Sequence, residues 1–380
     1  MLYLDNAATT PVRREVLEAM WPYLTGEFGN PSSVHTVGER AATALADARS
    51  RVASVLGVRA GDVIFTSGGT EADNLAVKGI ALGSPRGRHL VTTAMEHEAV
   101  LESVDYLRRL HGFEVSEVPL SPDGTVTADA LASVLRNDTT LVSVMYANNE
   151  VGTIEDIPAL SALTRERGIP FHTDAVQAAG WLDLSVSSLG VDALTLSGHK
   201  IGAPKGIGAA VVRGRVPLEP LIHGGGQERT RRSGTENVAF AVGLATALEI
   251  AESERADATA RVAALRTDFI TRVCELIPGA ILTGHPSRRL PGHASFCFPG
   301  TSGEAVLLEL ERRGVISSSG SACAAGSDEP SHVLTALGIA PDIAQTAVRF
   351  TFSTTITAAE LESVANALAA SVSTLTDIGS

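Results

Sequence analysis

Between about Val16 and Ile250, short runs of consecutive apolar residues alternate with longer stretches in which apolar positions recur every three to four residues. The short runs include 62–67, 89–93, 140–145 and 169–174. Such runs suit strands buried on both faces, and the longer stretches suit the helices that cover them. The alternation predicts an α/β fold with a large, mostly parallel sheet. A long helical stretch, roughly 239–276, reads as a connector. Beyond it come strand-like runs at 280–282, 293–298 and 348–352 and helical runs at 304–313 and 358–375. These predict a smaller α/β domain, joined by the N-terminal segment. The expected division is 15–255 for the large domain and 1–14 with 256–380 for the small one. No repeat or heptad array interrupts this plan.

Composition narrows the partners more than the fold. The chain has 380 residues, which suits two domains or one large α/β unit and can bury a sizeable core, and no apolar run reaches the length of a membrane span. A net charge of −13 disfavours direct binding to nucleic acid. The start, Met1-Leu2-Tyr3-Leu4-Asp5, has neither the basic nor the apolar region of a signal peptide, so the expected location is cytoplasmic. Three cysteines without paired spacing argue against a disulfide framework or a zinc site.

Candidate chemistry lies at predicted strand ends. Thr195-Leu196-Ser197-Gly198-His199-Lys200 is a short apolar strand that runs into a polar turn and delivers a lysine. An amine condenses with an aldehyde only when neutral and held in place, which a partly buried, hydrogen-bonded lysine allows. A solvated surface lysine is the plainer alternative. Upstream, Ile169-Pro170-Phe171-His172-Thr173-Asp174 reads as a strand ending in a carboxylate. Pyridoxal phosphate needs a lysine for its aldehyde and an acid for its ring nitrogen. Lys200 and Asp174 would suit those two tasks; capping a following helix is the other reading of Asp174. Gly68-Gly69-Thr70 separates a strand-like run from a helical one, so backbone N–H groups and a helix dipole would face an anion. It matches neither a Walker A loop nor Gly-x-Gly-x-x-Gly, which disfavours nucleotides. An ordinary strand-to-helix turn has the same pattern. Cys274, in a helical run, and Cys297, in a strand-like run, read as buried, inert small hydrophobes. Cys323 lies in segment 317–327, built of Ser, Gly and Ala, where little burial offsets the entropy of ordering. An accessible, mobile thiol is expected there.

These residues stand within longer motifs. They include Tyr3-Leu4-Asp5-Asn6-Ala7-Ala8-Thr9-Thr10-Pro11, Gly29-Asn30-Pro31-Ser32-Ser33-Val34-His35, the stretch 66–74, Glu96-His97-Glu98-Ala99-Val100 and Asn148-Asn149-Glu150-Val151-Gly152. Asp174-Ala175-Val176-Gln177, Ser197-Gly198-His199-Lys200, Arg232-Ser233-Gly234-Thr235 and Ser319-Gly320-Ser321-Ala322-Cys323 complete the set. In that order, nearly end to end, the chain closely resembles the cysteine desulfurases, class V members of the aspartate-aminotransferase-like enzymes of pyridoxal-phosphate fold type I. The Ser-Gly-Ser-Ala-Cys form in a long loop of small residues resembles the iron–sulfur and nitrogenase-associated branch.

The resemblance implies roles residue by residue. Lys200 would carry pyridoxal 5'-phosphate as a Schiff base and then move protons. Asp174 would pair with the ring nitrogen, Gln177 and Asn149 would bond the ring oxygen, and His97 would stack on the ring and assist proton transfer. Gly69, Thr70, Ser197 and His199 would hold the phosphate, joined by Thr235 from a second subunit of a homodimer. Arg349 would clamp the carboxylate of L-cysteine beside Asn149, and guanidinium suits that bidentate task. Cys323 would accept the sulfur as a persulfide, leave L-alanine, and pass the sulfur to an acceptor protein. That acceptor could serve iron–sulfur clusters, transfer-RNA thiolation, cofactor biosynthesis or DNA phosphorothioation. Arg229, Arg231 and Arg232 would lie at the dimer interface near a phosphate, or else in a solvated loop.

The chain departs from the family's pattern at three places. Thr351-Phe352-Ser353-Thr354 stands where Ser-Leu-Gly-Arg is common, His293 stands in place of an asparagine, and Asp73 replaces a frequent second asparagine. None removes a core catalytic group. Other class V activities (aminotransferase, selenocysteine lyase, cysteine sulfinate desulfinase) would keep the cofactor motifs without needing Cys323. A noncatalytic scaffold would need neither Lys200 nor Asp174, and a cofactor-free α/β protein would not be yellow.

Overall fold

The computed structural model describes residues 1–83, 86–319 and 329–379. Its main sheet has seven strands: β2 (Val63–Thr66), β3 (His89–Thr92), β4 (Glu114–Glu117), β5 (Thr139–Ser143), β6 (Phe171–Asp174), β7 (Ala193–Ser197) and β8 (Gly208–Val212). Their order is β2-β8-β7-β6-β5-β3-β4. Neighbours from β4 to β7 pair parallel, whereas β8 pairs antiparallel with both β7 and β2. Every strand but β8 therefore points the same way, and their C-terminal ends share one edge, where open α/β sheets place their sites.

Period-two alternation turns successive residues of most strands to opposite faces of the sheet. Phe65, Val91, Val142, Phe171, Leu194 and Val211 face one cluster, and Ile64, Leu90, Leu141, Ala193 and Ala210 face the other. Helices α1 (Arg14–Thr25), α2 (Thr36–Leu56), α5 (Ala128–Val134), α6 (Ile157–Glu166) and α7 (Val186–Leu189) cover the first face. Helices α3 (Gly69–Gly83) and α4 (Glu98–His111) cover the second.

Helix α8 (Val238–Leu276) starts at Asn237, whose Oδ1 accepts from Phe240 N at 3.1 Å. Its first half, through Ala251, packs into the sheet core. Val262, Phe269 and Val273 on its second half enter a separate core. There Phe269 meets Phe350 and Phe352 edge-on, with ring centroids 5.5 Å away from each. This second core is built on the antiparallel sheet β9 (Ile281–Leu282), β10 (His293–Cys297) and β12 (Ala347–Thr351), in the order β12-β10-β9. Helices α9 (Gly303–Arg312) and α12 (Ala358–Gly379) close it, and α10 (His332–Ala336) and α11 (Pro341–Ala344) flank it. The N-terminal strand β1 (Leu2–Tyr3) pairs parallel with β11 (Val315–Ile316). Beyond these strands Asp5 bridges to Thr351 and Ser318 to Arg349, so both segments lie against β12.

One expectation about the cysteines changes. Cys274 is exposed, not buried, because it follows buried Val273 around α8 and falls on the outer face. Cys297 is buried as expected, and burial pushes its thiol up to about 11. Cys323 and the expected mobility of its segment lie outside the described residues.

Candidate active site

The sheet edge gathers most of the residues singled out by sequence. Asp174 ends β6, and Ser197 ends β7 one strand away, followed by a 3-10 turn that presents His199 and Lys200. Asp174 is 5% exposed. Burial pushes its carboxyl above the usual range, opposed by the charges of His97 and Lys200 and by the N–H of Val176. The Val176 N–H donates to Asp174 Oδ1 at 2.8 Å, which fixes the carboxylate in the turn that follows the strand. Asp174 therefore does not cap a helix, since the residues after it form turns.

The N-terminal segment lies across this edge. Lys200 Nζ donates to the carbonyl of Ala7 and, at 2.8 Å, to that of Ala8. Gln177 Nε2 donates to the Ala7 carbonyl at 3.0 Å. Thr10 N and Oγ1 both donate to the carbonyl of His199, and Thr9 Oγ1 lies 3.1 Å from His199 Nδ1. Burial, aided by Lys200 and Lys205, drives His199 down to about 4. Its imidazole is thus neutral at ordinary pH.

The Gly-rich turn delivers the start of α3 to the same place. Gly69 and Thr70 open that helix, where backbone N–H groups have no intrahelical partner. A Cβ at Gly69 would sit 3.1 Å from Val176 Cγ2 and 3.3 Å from Ser197 Cβ. Glycine therefore lets the helix start approach the ends of β6 and β7. Glu71 orders the turn by accepting from Ser67 N at 2.7 Å.

His97 caps α4, its Nδ1 accepting from Ala99 N at 3.0 Å, which sets the ring's orientation. Asn148 is a structural residue that sequence reasoning passed over. Its Oδ1 accepts from Glu150 N and Val151 N, and its Nδ2 donates to the Met95 carbonyl, so it builds the turn that carries Asn149. The Asn149 carbonyl accepts from Arg349 Nη1 at 3.0 Å and from His293 Nε2 at 3.2 Å. Gly152, at φ +79°, leaves room for that histidine, because a Cβ there would sit 2.7 Å from the ring. Arg349 is 1% exposed and its Nη2 pairs with Asp5 Oδ1 at 2.7 Å, a partner that sequence did not reveal. Its backbone exchanges both hydrogen bonds with Ser318, five residues before Cys323. A cavity of about 340 Å³ opens beside Lys200, with Gln177, Trp181, His293, Ser353 and Thr354 in its lining.

Thr235 does not line the cavity beside Lys200. It lines a cavity of about 190 Å³ with Thr66, Ser67, Gly206 and Arg232. Of the three nearby arginines, Arg229 and Arg231 lie together, reaching the adjacent carbonyls of Ala60 and Gly61, and Arg232 turns to an acidic partner. Arg232 pairs with Glu71 at 2.8 Å, while Arg231 Nη1 donates to the Val212 carbonyl at 3.3 Å.

The donor set fits pyridoxal phosphate. A buried carboxylate at one strand end, a lysine in the turn after the next strand, and a close-packed helix start beside Ser197 and His199 would suit the ring nitrogen, the aldehyde and the phosphate in turn. Among the described residues no cluster of His, Cys, Asp or Glu could hold a metal ion.

Comparison with known proteins agrees. The Aminotransferase class-V profile matches residues 2–364. The chain is 47% identical to "Cysteine desulfurase IscS" of Dictyoglomus turgidum over 92% of its own length and 89% of the relative's. A solved NifS-like protein superposes with a TM-score of 0.91 at 37% identity, covering 98% of this chain and 100% of that one. The structure described as SspA in complex with cysteine superposes with a TM-score of 0.80 at 35% identity, covering 93% and 99%. The chain belongs to the class V aminotransferase family and, within it, to the cysteine desulfurases.

Proposed function

We propose that this chain desulfurates L-cysteine to L-alanine and takes the sulfur onto Cys323 as a persulfide. The observation that carries this is the placement of buried Asp174 and of Lys200 on neighbouring strand ends, beside the Gly69–Ser197 contact. Gly69, Thr70, Ser197 and His199 would hold the phosphate of pyridoxal 5'-phosphate, Asp174 its ring nitrogen, Gln177 and Asn149 its ring oxygen, and His97 its face. Bound there, the cofactor supplies the electron sink for an amino-acid substrate.

The chain's own residues do the rest. Lys200 takes the proton from the substrate Cα and returns it. Arg349 receives the substrate carboxylate, which competes with Asp5 for the guanidinium. The Cys323 thiolate attacks the substrate sulfur: an S–S bond forms, the substrate C–S bond breaks, and the alanine carbon gains a proton. The persulfide then passes to a sulfur-acceptor protein. The solved relative described in complex with cysteine supports this substrate.

A homodimer completes the reading, with Thr235 reaching the partner's phosphate. Leu17, Trp21 and Leu24 form one exposed apolar face of α1, followed in the chain by exposed Phe28, and this supports coverage by a second copy. The division into 15–255 and 1–14 with 256–380 is supported by the two separate cores. No helix among the described residues is long and apolar enough to cross a membrane.

Cys323→Ser tests the sulfur step. It should keep cofactor binding, yet show no persulfide by mass spectrometry after L-cysteine is added, while Cys274→Ser and Cys297→Ser transfer sulfur normally. If Cys323→Ser desulfurates cysteine at the wild-type rate, the thiol is not the acceptor and a lyase takes its place.

A further inference from the structure

Asp73 has no role in the chemistry above, and it stands where the resembling enzymes often have asparagine. It lies on α3, four residues beyond Gly69, and is 1% exposed. Its Oδ1 is 2.5 Å from Thr195 Oγ1. Thr195 Oγ1 is 3.2 Å from His172 Nε2, and His172 Nδ1 is 2.8 Å from Ser143 Oγ. All four residues are buried, so a continuous hydrogen-bonded chain threads α3, β7, β6 and β5 below the sheet edge. Thr195 also faces Asp174 in the β6–β7 register, and its carbonyl accepts from Ala175 N at 3.1 Å. The titratable groups that face Asp73 are His172 and Asp174 on β6 and Glu96 beyond β3.

Protons can run along such a chain in two directions. If Asp73 is ionised, Thr195 donates to it, His172 donates from Nε2, and Ser143 donates to Nδ1. If Asp73 donates, Thr195 donates to His172 Nε2, and Nδ1–H donates to Ser143. The proton at Asp73 and the tautomer of His172 are then one variable. Burial drives His172 down to about 3, so it is neutral and offers Asp73 no cation. Burial and the charge of Asp174 push Asp73 well above the usual carboxylate range. Asp174, in contrast, has the charges of His97 and Lys200 beside it. Two neighbouring buried carboxyls with cations beside only one of them keep a proton on the other.

We propose that Asp73 is a positioning residue that donates its proton to Thr195, so that the single negative charge of the carboxyl pair rests on Asp174, where a ring nitrogen would meet it. The proposal deepens the functional reading and rests on it only for the role of Asp174. Nitrogen-15 NMR of histidine-labelled protein tests it without cofactor or turnover. In the wild type at neutral pH, His172 should carry its proton on Nδ1; a proton on Nε2 overturns the proposal. A second measurement uses Asp73→Asn, which stays neutral. It should keep the affinity for pyridoxal phosphate within about threefold, because a neutral group replaces a neutral group. If Asp73 were ionised, the same substitution would remove a like charge beside Asp174 and change the affinity by about tenfold or more, which also overturns the proposal. Failure of the wild type to bind pyridoxal phosphate would defeat the functional reading instead, and the histidine tautomer would still decide the case of Asp73.

Discussion

Lys200 and Glu96 show how burial sets what a side chain does. Lys200 donates to the carbonyls of Ala7 and Ala8, so the amine must leave them before it can react. Lys200→Ala should abolish the visible absorbance of the lysine-bound cofactor after dialysis and remove turnover. Full activity in that variant would defeat the cofactor assignment. Glu96 accepts from Thr93 Oγ1 at 2.7 Å and from Met145 N at 3.1 Å, and its Oε2 has no partner among the described residues. Burial pushes its carboxyl up to about 8 from 4.5. The folded protein therefore holds a proton that the unfolded chain releases. The stability this contributes is present below pH 4.5 and is lost as pH rises towards 8. Glu96→Gln cannot ionise, so its stability relative to wild type should rise across that window, by up to roughly 1.36 kcal/mol per pH unit. Denaturant midpoints at both ends of the window measure this, and a constant difference would mean that Glu96 is ionised in the fold. Lys200 and Asp174 were legible in sequence because each closes an apolar run. Asp73, Ser143, His172 and Thr195 were not, because only the sheet register brings such distant positions together.

Elements were legible where period and length agreed. The helix expected over 239–276 is observed as α8, and the strands at 89–93 and 140–145 appear as β3 and β5, with small shifts at their ends. The antiparallel β8 was hidden, because its small residues, Gly208-Ala209-Ala210-Val211-Val212, follow a Gly/Pro-rich stretch and carry no alternation. Also hidden was the turn Glu228-Arg229-Thr230, three non-glycine residues in a row with positive φ. Left-handed backbone costs energy and persists only where its surroundings impose it. Here the imposing contact is Glu228, which takes both Nη atoms of Arg49 and the N–H of Phe65 in a buried site. Glu228→Gln leaves Arg49 without its counter-ion and should destabilise the protein by roughly 3–5 kcal/mol, read from urea unfolding. A cost below about 1 kcal/mol would show that the turn does not depend on the pair. The same variant should weaken cofactor retention, since the turn leads directly to Arg232 and Thr235.

The whole molecule joins two cores through shared parts. Their sum of exposed apolar residues is not spread evenly, since Leu17, Trp21 and Leu24 recur on one side of α1, whose other side buries Val16 and Met20. Analytical ultracentrifugation should find a dimer, and Trp21→Asp with Leu24→Asp should shift it to monomer with loss of bound cofactor. An active monomer in the wild type would refute the shared site.

Helix α8 has a mechanical meaning beyond its packing. At 39 residues it is roughly 58 Å long, without proline, and each half is anchored in a different core. It behaves as a beam fixed at both ends, so hinge-like swinging of one core against the other would have to bend a continuous helix. Give in the catalytic edge must come instead from the strap formed by residues 5–13. That strap is stitched by Asp5 to Arg349, by Ala7 and Ala8 to Lys200, and by Arg13 to Glu254 on the beam itself. A substrate that wins Arg349 from Asp5 would undo the first stitch, and an amine leaving Ala7 and Ala8 would undo the second. Loading the site and loosening its clasp are then the same event.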